Sequence, residues 1–316
     1  GGIFVEYARS FKPHKFIKPF RFLICSRKLK EFFKYSLKSN LTILLIILAI
    51  SGCDFKDQHL KVENGFMDLS VWSFKKDGVV KLNGEWEFYW KQFKSPEDTF
   101  TNNQAKYLNI PGGWKDHAFY GENLEGYGYG TYRLVLHANS ELEFAGLRVP
   151  PISTAYKLWI NGKSYSHFGR VGKNQEEYNS QYCPNITYFT VDKPEIEILI
   201  QVANFMHTNG GIKQPLILGT ANQIKNIRDN NLAKELFVFS CLFILSILQI
   251  EKYHIRKKDK FLFYLGLFTL LISLRSLLSG EMYLLQLVKN INHELTIKLE
   301  CLSISLSTLL FHLFLL

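Results

Sequence analysis

Cysteine is scarce in this 316-residue chain, and the five present, at positions 25, 53, 183, 241 and 301, form no CxxC pair. No His stands at zinc-site spacing from any of them. A zinc finger and a dithiol redox centre are thereby excluded, and no metal or cofactor is expected. In the middle of the chain Cys183 stands alone, which rules out a disulfide-built fold there. Methionine is scarcer still, with three residues and none before Met67. The chain reads as one that begins upstream of the true start or at an unusual codon. Basic charge is missing where a folded nucleic-acid binder would carry it. Of the formal +10, ten Lys/Arg set against Glu6 and Glu31 place +8 within residues 1–40. The remainder is close to neutral, so no nucleic-acid partner is expected. Apolar residues, 47% of the chain, pool near 41–50 and again from Leu232 onward, a distribution unsuited to a soluble two-domain protein.

Residues 1–53 combine a basic flank with an export signal. The basic stretch from Arg27 to Lys38 leads into "LTILLIILAI", ten residues that as helix cover about 15 Å, half of a bilayer core. A membrane span is the weaker alternative. Ile50-Ser51-Gly52-Cys53 follows and resembles the bacterial lipobox, in which small residues let a peptidase approach the backbone. Cys53 is expected to be the lipidated first residue of the mature chain; its other reading is a plain buried cysteine.

From 54 to 230 the apolar period changes to two. In "EIEILIQVANF" the residues Ile196, Ile198, Ile200 and Val202 alternate with Glu195, Glu197, Leu199 and Gln201. "TYRLVLH" and "AYKLWI" behave alike. Asn83-Gly84 and Asn161-Gly162 each separate two such runs, and Asn-Gly accepts the positive φ angles of tight hairpin turns. A mainly β, antiparallel sandwich is expected.

The ordered blocks "LNGEWEFYW", "NIPGGW", "GYGYGTYRLVL", "LRVPPISTAYKLWINGK", "GRVG", "QVANFMHTNGGI" and "PLILG" cover most of residues 71–219. Together they resemble the galactose-binding-like jelly roll of sugar-binding modules in glycoside hydrolases. They are more similar still to the extracytoplasmic module of bacterial seven-transmembrane receptors with diverse intracellular signalling modules. That resemblance implies a sensor whose ligand is a carbohydrate or related small molecule. On it, the ligand-binding candidates are Trp114, Tyr129, Arg133, Asn161, Asn204 and His207. Aromatic faces would stack on a sugar, and polar groups would bond its hydroxyls. The competing reading is that strand-borne aromatics such as Trp86, Trp114, Tyr132 and Trp159 fill the core and Asn residues cap turns. His207 lies in a loop, where function concentrates. Carboxylates are present, but nothing in the spacing sets two of them across a scissile bond, and no segment is long enough for a catalytic barrel. The chain is read as a non-enzyme; its rivals are an exported glycoside-hydrolase relative and a protein-interaction module, with a homodimer left open.

Residues 231–316 are expected to hold transmembrane helices at about 232–253, 261–280 and 301–316. In the loop 251–260, Lys252, Arg256, Lys257, Lys258 and Lys260 outnumber Glu251 and Asp259, which places that loop in the cytoplasm and residues 54–230 in the periplasm. The stretch from Tyr253 to Glu281 again resembles the first two helices of the receptor family. Arg275 is the coupling candidate between ligand module and helices; its bland alternatives are snorkelling or pairing with Glu281. Family members carry seven helices and a cytoplasmic output module. Neither is complete in this sequence, so a fragment or a broken gene is expected, with a signalling module as partner if the gene continues.

Overall fold

Alternating apolar residues give two β layers closed over one core. In the computed structural model the described residues are 60–100, 106–119, 122–139, 141–256, 259–283 and 293–315. The elements are β1 (Phe66–Leu69), α1 (Phe74–Asp77), β2 (Val80–Lys81), β3 (Gly84–Trp90), β4 (Lys106–Ile110), β5 (Ala118–Phe119) and β6 (Glu122–Asn123). There follow β7 (Gly128–Ala138), β8 (Phe144–Val149), β9 (Ala155–Ile160), β10 (Lys163–Phe168), β11 (Asn185–Thr190), β12 (Glu195–Asn204) and β13 (Ile217–Thr220). Three helices complete the described chain: α2 (Ala221–Arg256), α3 (Lys260–Ser276) and α4 (His293–Leu315).

One sheet runs β10-β9-β12-β7-β3-β4, with β1 pairing in parallel against the far half of β7. The facing sheet runs β11-β8-β13-β2, and β5-β6 form a small separate ribbon. Trp86, Phe88, Tyr132, Leu134 and Ile198 from the first sheet meet Leu147, Val149, Phe189 and Leu218 from the second in one buried cluster. In β12 the expected inward set Ile196, Ile198, Ile200 and Val202 is fully buried. Leu199 and Gln201, on the opposite face, are buried as well. The segment after β3 crosses that face, and the Gln201 side chain donates to the Lys94 carbonyl at 3.1 Å.

The two Asn-Gly pairs differ. Asn161 (φ 49°) and Gly162 (φ 78°) form the expected tight hairpin between β9 and β10. Asn83-Gly84 does not form one, because β2 belongs to the second sheet, through β13, and β3 to the first. At Gly84 the chain crosses between layers at φ 126°, against the Val62 backbone, where any Cβ would collide.

The helices also depart from expectation. α2 begins at Ala221 rather than near 232, so the sheet-to-helix boundary falls at 220/221 and not at 230. The added turns are polar, and Ile224 is their one fully buried residue, too sparse a pattern to announce a helix. Ile224 packs on Gly146 of β8, where an added Cβ would stand 3.0 Å from the Ile224 Cβ. α3 stops at Ser276, before the turn closed by Gly280 at φ 68°, and α4 starts eight residues before position 301. The 36 residues of α2 extend about 54 Å at 1.5 Å per residue. Among the described residues α2 is the one helix long and apolar enough to cross a membrane.

Candidate functional site

Three of the six ligand candidates meet at one end of the sandwich, where they hold loops together. Trp114 opens a short 3₁₀ turn behind Gly113. Its ring is fully buried, and its indole N–H donates to the Tyr132 hydroxyl at 2.7 Å. A Cβ at Gly210 would come within 2.5 Å of that ring, so the backbone closes over it. Trp114 therefore has no free face for a sugar; it is core, because the apolar area of an indole is best satisfied there once its N–H has a partner. Asn204 is also fully buried. Its Nδ2 donates to the carbonyls of Gly126 (2.6 Å) and His207 (2.7 Å). Its Oδ1 accepts the His207 amide (3.0 Å) and the Thr154 hydroxyl (3.2 Å). No capacity is left for a ligand hydroxyl. His207 itself is half-buried, 6.4 Å from the Tyr182 ring between centroids. Burial first, then the neighbouring Lys213 ammonium, lowers its pKa below the usual imidazole value.

Arg133 and Asn161 meet elsewhere, on Glu197. Arg133 Nε donates to Glu197 Oε1 at 2.6 Å, and its Nη1 donates to Glu87 Oε2 at 3.1 Å. The Glu197 amide donates to Asn161 Oδ1 at 2.8 Å. The guanidinium also lies 4.4 Å above the Phe100 ring. Arg133 is thus committed on both edges and one face, and Asn161 secures its hairpin to β12. Tyr129, half-buried, packs its ring 4.7 Å from that of Phe93. The structure gathers no common sugar site from these six residues; they divide between two ends of the first sheet.

A different constellation, unmarked in the sequence, lies where the second sheet meets the helices. β8 alternates Ala145, Leu147 and Val149 into the core with Gly146 and Arg148 on the outer face. Arg148 Nη2 donates to Glu281 Oε1 at 2.6 Å, and both side chains are largely buried. Glu281, in the segment after α3, also accepts from Asn231 Nδ2 at 2.9 Å, and its amide donates to Glu235 Oε1 at 2.8 Å. Beside this bridge lies a cleft of about 390 Å³ whose lining includes Arg148, Arg228, Glu281, Cys183, Asn185 and Tyr188. Burial first, and then the Glu281 carboxylate, push the Cys183 thiol up to about 11, against the opposing pull of Arg228. The signal available in sequence was the pair Gly146 and Arg148 at outward positions of an otherwise apolar strand, since a strand glycine marks close backbone approach.

Arg275 points across the bundle. Its Nη1 donates to the Glu300 carbonyl (3.2 Å) and the Ser303 hydroxyl (3.4 Å) on α4. The partner of Glu281 is Arg148, not Arg275. Cys53 lies outside the described residues. No group of three or more His, Cys, Asp or Glu side chains that could hold a metal occurs among the described residues.

No protein-family description matches the chain, and no curated protein matches it. Among solved structures it is similar to a β-glucuronidase from an uncultured Clostridium species, at 15% identity over 44% of this chain and 28% of that one, with a TM-score of 0.35. It is also similar to a putative β-galactosidase from Bacteroides fragilis (20% identity, 44% and 22% covered, TM-score 0.30). A third is a β-glycosidase from Bacteroides vulgatus (17%, 44% and 20%, TM-score 0.34). The chain spans less than a third of each of these proteins.

Proposed function

We propose that this chain is the sensing part of a bacterial membrane receptor, in which a periplasmic, jelly-roll-like, galactose-binding-type sandwich takes a carbohydrate or related small ligand and biases the packing of membrane helices. The observation that carries this reading is the direct join of sheet to helix. β13 ends at Thr220, α2 starts at Ala221, and Ile224 and Glu281 then dock the helices back onto β8. A rearrangement of the second sheet therefore has a stiff route into α2, and a ligand acts only through its differential affinity for two such arrangements.

In this reading Cys53 carries lipid, the 251–260 loop faces the cytoplasm, and the helices pass the signal to a cytoplasmic output module. The chain acts by binding and not by catalysis. A glycan array and a thermal-shift screen on the full chain in detergent test the reading. A ligand that stabilises the protein without being turned over supports it. Hydrolysis of model glycosides would replace it with the enzyme reading. Failure to bind any compound, with concentration-dependent self-association, would favour an interaction module.

A further inference from the structure

We infer that the ligand site is the groove along the open edge of the sandwich, between β10 and β11, and that it takes a neutral oligosaccharide with one ring lying on Tyr188. This inference rests on the ligand-sensing reading and names its site and ligand class.

β10 ends the first sheet and β11 the second, and neither pairs on its outer side among the described residues. A groove follows these two edges. One part of it, of about 390 Å³, is lined by residues of both strands, Tyr165, Ser166, His167 and Thr187 among them. The other part is the cleft beside Arg148 and Glu281, also of about 390 Å³. Phe168, Asn185, Ile186 and Tyr188 line both, so the two parts are continuous. Each alone falls at the lower end of the roughly 300–1,000 Å³ range of small-molecule sites, and joined they suit a ligand longer than one sugar ring.

The lining selects the chemistry. No Asp, Glu, Lys or Arg lines the part between the strands, where hydroxyls, an amide, an imidazole and aromatic rings stand instead. At the helix end the charges answer one another: Arg148 pairs with Glu281, the Glu281 amide donates to Glu235, and Arg228 is engaged as well. No guanidinium is left over there to call for an acidic ligand. Arg148 Nε, however, is buried without an acceptor among the described residues, and a sugar hydroxyl supplies one without adding charge. Asn185 adds an amide whose Nδ2 makes only a long contact, 3.4 Å, to the Thr187 hydroxyl. Tyr188 is about two-fifths exposed and Phe144 about half, their rings 6.2 Å apart with planes within 22°. Two large rings left side by side in water mark an interaction surface. The C–H face of a pyranose packs on such a surface while its hydroxyls reach the polar groups beside it.

A peptide strand is the competing occupant of two open sheet edges. A strand inserted between them needs about 4.8 Å on each side. The Ser166 and Thr187 hydroxyls lie 3.5 Å apart, and the Tyr165 and Phe189 rings meet at 6.0 Å, so the edges have closed on each other and only the surface of the groove is open. A ring on Tyr188 fits that surface. From there the ligand reaches Arg148, whose guanidinium holds the segment after α3 to the sheet.

Cys183 lines the helix end of the groove and reports on its occupancy. The full chain in nanodiscs is alkylated at about pH 9, near the ordinary thiol range, with a library of neutral di- and trisaccharides that includes lactose and cellobiose. Modification of Cys183 is read by peptide mass spectrometry. At least one sugar, present about tenfold above its dissociation constant, is expected to slow Cys183 alkylation about tenfold, by simple occupancy. For that sugar Tyr188→Ala should raise the concentration for half-protection about tenfold, and Tyr188→Phe, which keeps the ring, should leave it within about twofold. Tyr107→Ala removes a ring of similar exposure from β4, at the far end of the first sheet, and should change nothing. All three variants replace partly exposed side chains and are expected to fold. No protection by any member of the library, or a half-protection concentration unmoved by Tyr188→Ala, would overturn the assignment. Protection by a synthetic peptide of the β11 sequence NITYFT, with none by sugars, would hand the groove to a pairing strand. A sugar that stabilises the chain on heating without protecting Cys183 would remove the groove assignment and leave the sensing reading standing. Sugar protection without any change in hydrogen exchange at residues 221–231 would keep the site and remove the sensing role.

Discussion

Arg148 and Glu281, 133 residues apart, meet at 2.6 Å and tie the outer face of the second sheet to the helical hairpin. Asn231 of α2 shares the same carboxylate oxygen, so a single side chain holds a strand, a helix and the segment after α3. Because the pair is largely buried, removing one member leaves a charge without its partner in a poorly hydrated place. Arg148→Met is expected to destabilise the docked state by about 3 kcal/mol. Replacing both residues by Met should restore most of that loss. A double-mutant cycle on thermal denaturation of the full chain measures the coupling, and additive effects would show that the pair contributes nothing as a pair.

Ile224 is the apolar half of the same junction. Fully buried against Gly146, it loses every side-chain carbon beyond Cβ in Ile224→Ala, an expected cost of about 2–4 kcal/mol. The loss should appear first as faster hydrogen exchange in residues 221–231, with β7 and β12 protected as before. Gly146→Val approaches the junction from the other side and should give the same exchange pattern, since its added methyls have to displace Ile224.

Two glycines at positive φ separate strain from collision. Gly78 (φ 83°) has open space where a Cβ would stand, whereas Gly84 (φ 126°) faces the Val62 backbone. Gly78→Ala should cost about 1 kcal/mol from the backbone angle alone. Gly84→Ala should cost at least about 3 kcal/mol, because backbone atoms cannot step aside as a side chain can. Equal melting temperatures for the two variants would contradict this account of the crossing between sheets.

Asn204 is expected to matter for stability and not for ligand chemistry. Asn204→Asp keeps the shape but loses the Nδ2 donors to Gly126 and His207, leaving two carbonyls unmet. The expected cost is about 2–6 kcal/mol, from about 1–3 kcal/mol for each of the two unsatisfied buried groups. Exchange in the loop 205–211 should rise accordingly. Any ligand affinity measured on the surviving folded fraction should be unchanged, and a specific loss of affinity would return Asn204 to the site.

The Cys183 thiol gives a pH dependence of definite sign. Its folded pKa of about 11 stands above the ordinary value of about 8.5. Above pH 8.5 the unfolded chain releases this proton and the folded chain keeps it. The thiol's contribution to stability is therefore full below about pH 8.5 and declines as pH rises towards 11. Alkylation of Cys183 at pH 8.5 should be about a hundredfold slower than for a model thiol, and should rise steeply between pH 9 and 11. Arg228→Met should move that rise to higher pH, because the guanidinium favours the thiolate.

Much of the sandwich was legible because strands announce themselves locally. The inward set of β12 and the hairpin at Asn161-Gly162 follow from residue spacing and turn chemistry alone. The crossing at Asn83-Gly84 was not legible, since the same dipeptide serves a tight turn or a backbone contact, and only the position of Val62 decides between them. The early start of α2 hides behind a single buried Ile224. The candidate residues were chosen by type: Trp114, Asn204 and Arg133 have the chemistry of a sugar site, yet each is already satisfied by partners far away in sequence. The Arg148–Glu281 cleft was only half legible: Gly146 and Arg148 mark the outer face of β8, but nothing local marks Glu281, 133 positions away.

Ligand occupancy is expected to be felt where the second sheet meets α2 and the segment after α3. Hydrogen exchange of the full chain in nanodiscs, resolved at residues 221–231 and 277–283, tests it most directly. A panel of neutral sugars and sugar acids is added in turn. The account predicts that at least one compound changes exchange about tenfold in both segments while β7 and β12 keep their protection, about the effect of saturating a site well above its dissociation constant. Binding of a compound with exchange unchanged in both segments would contradict it.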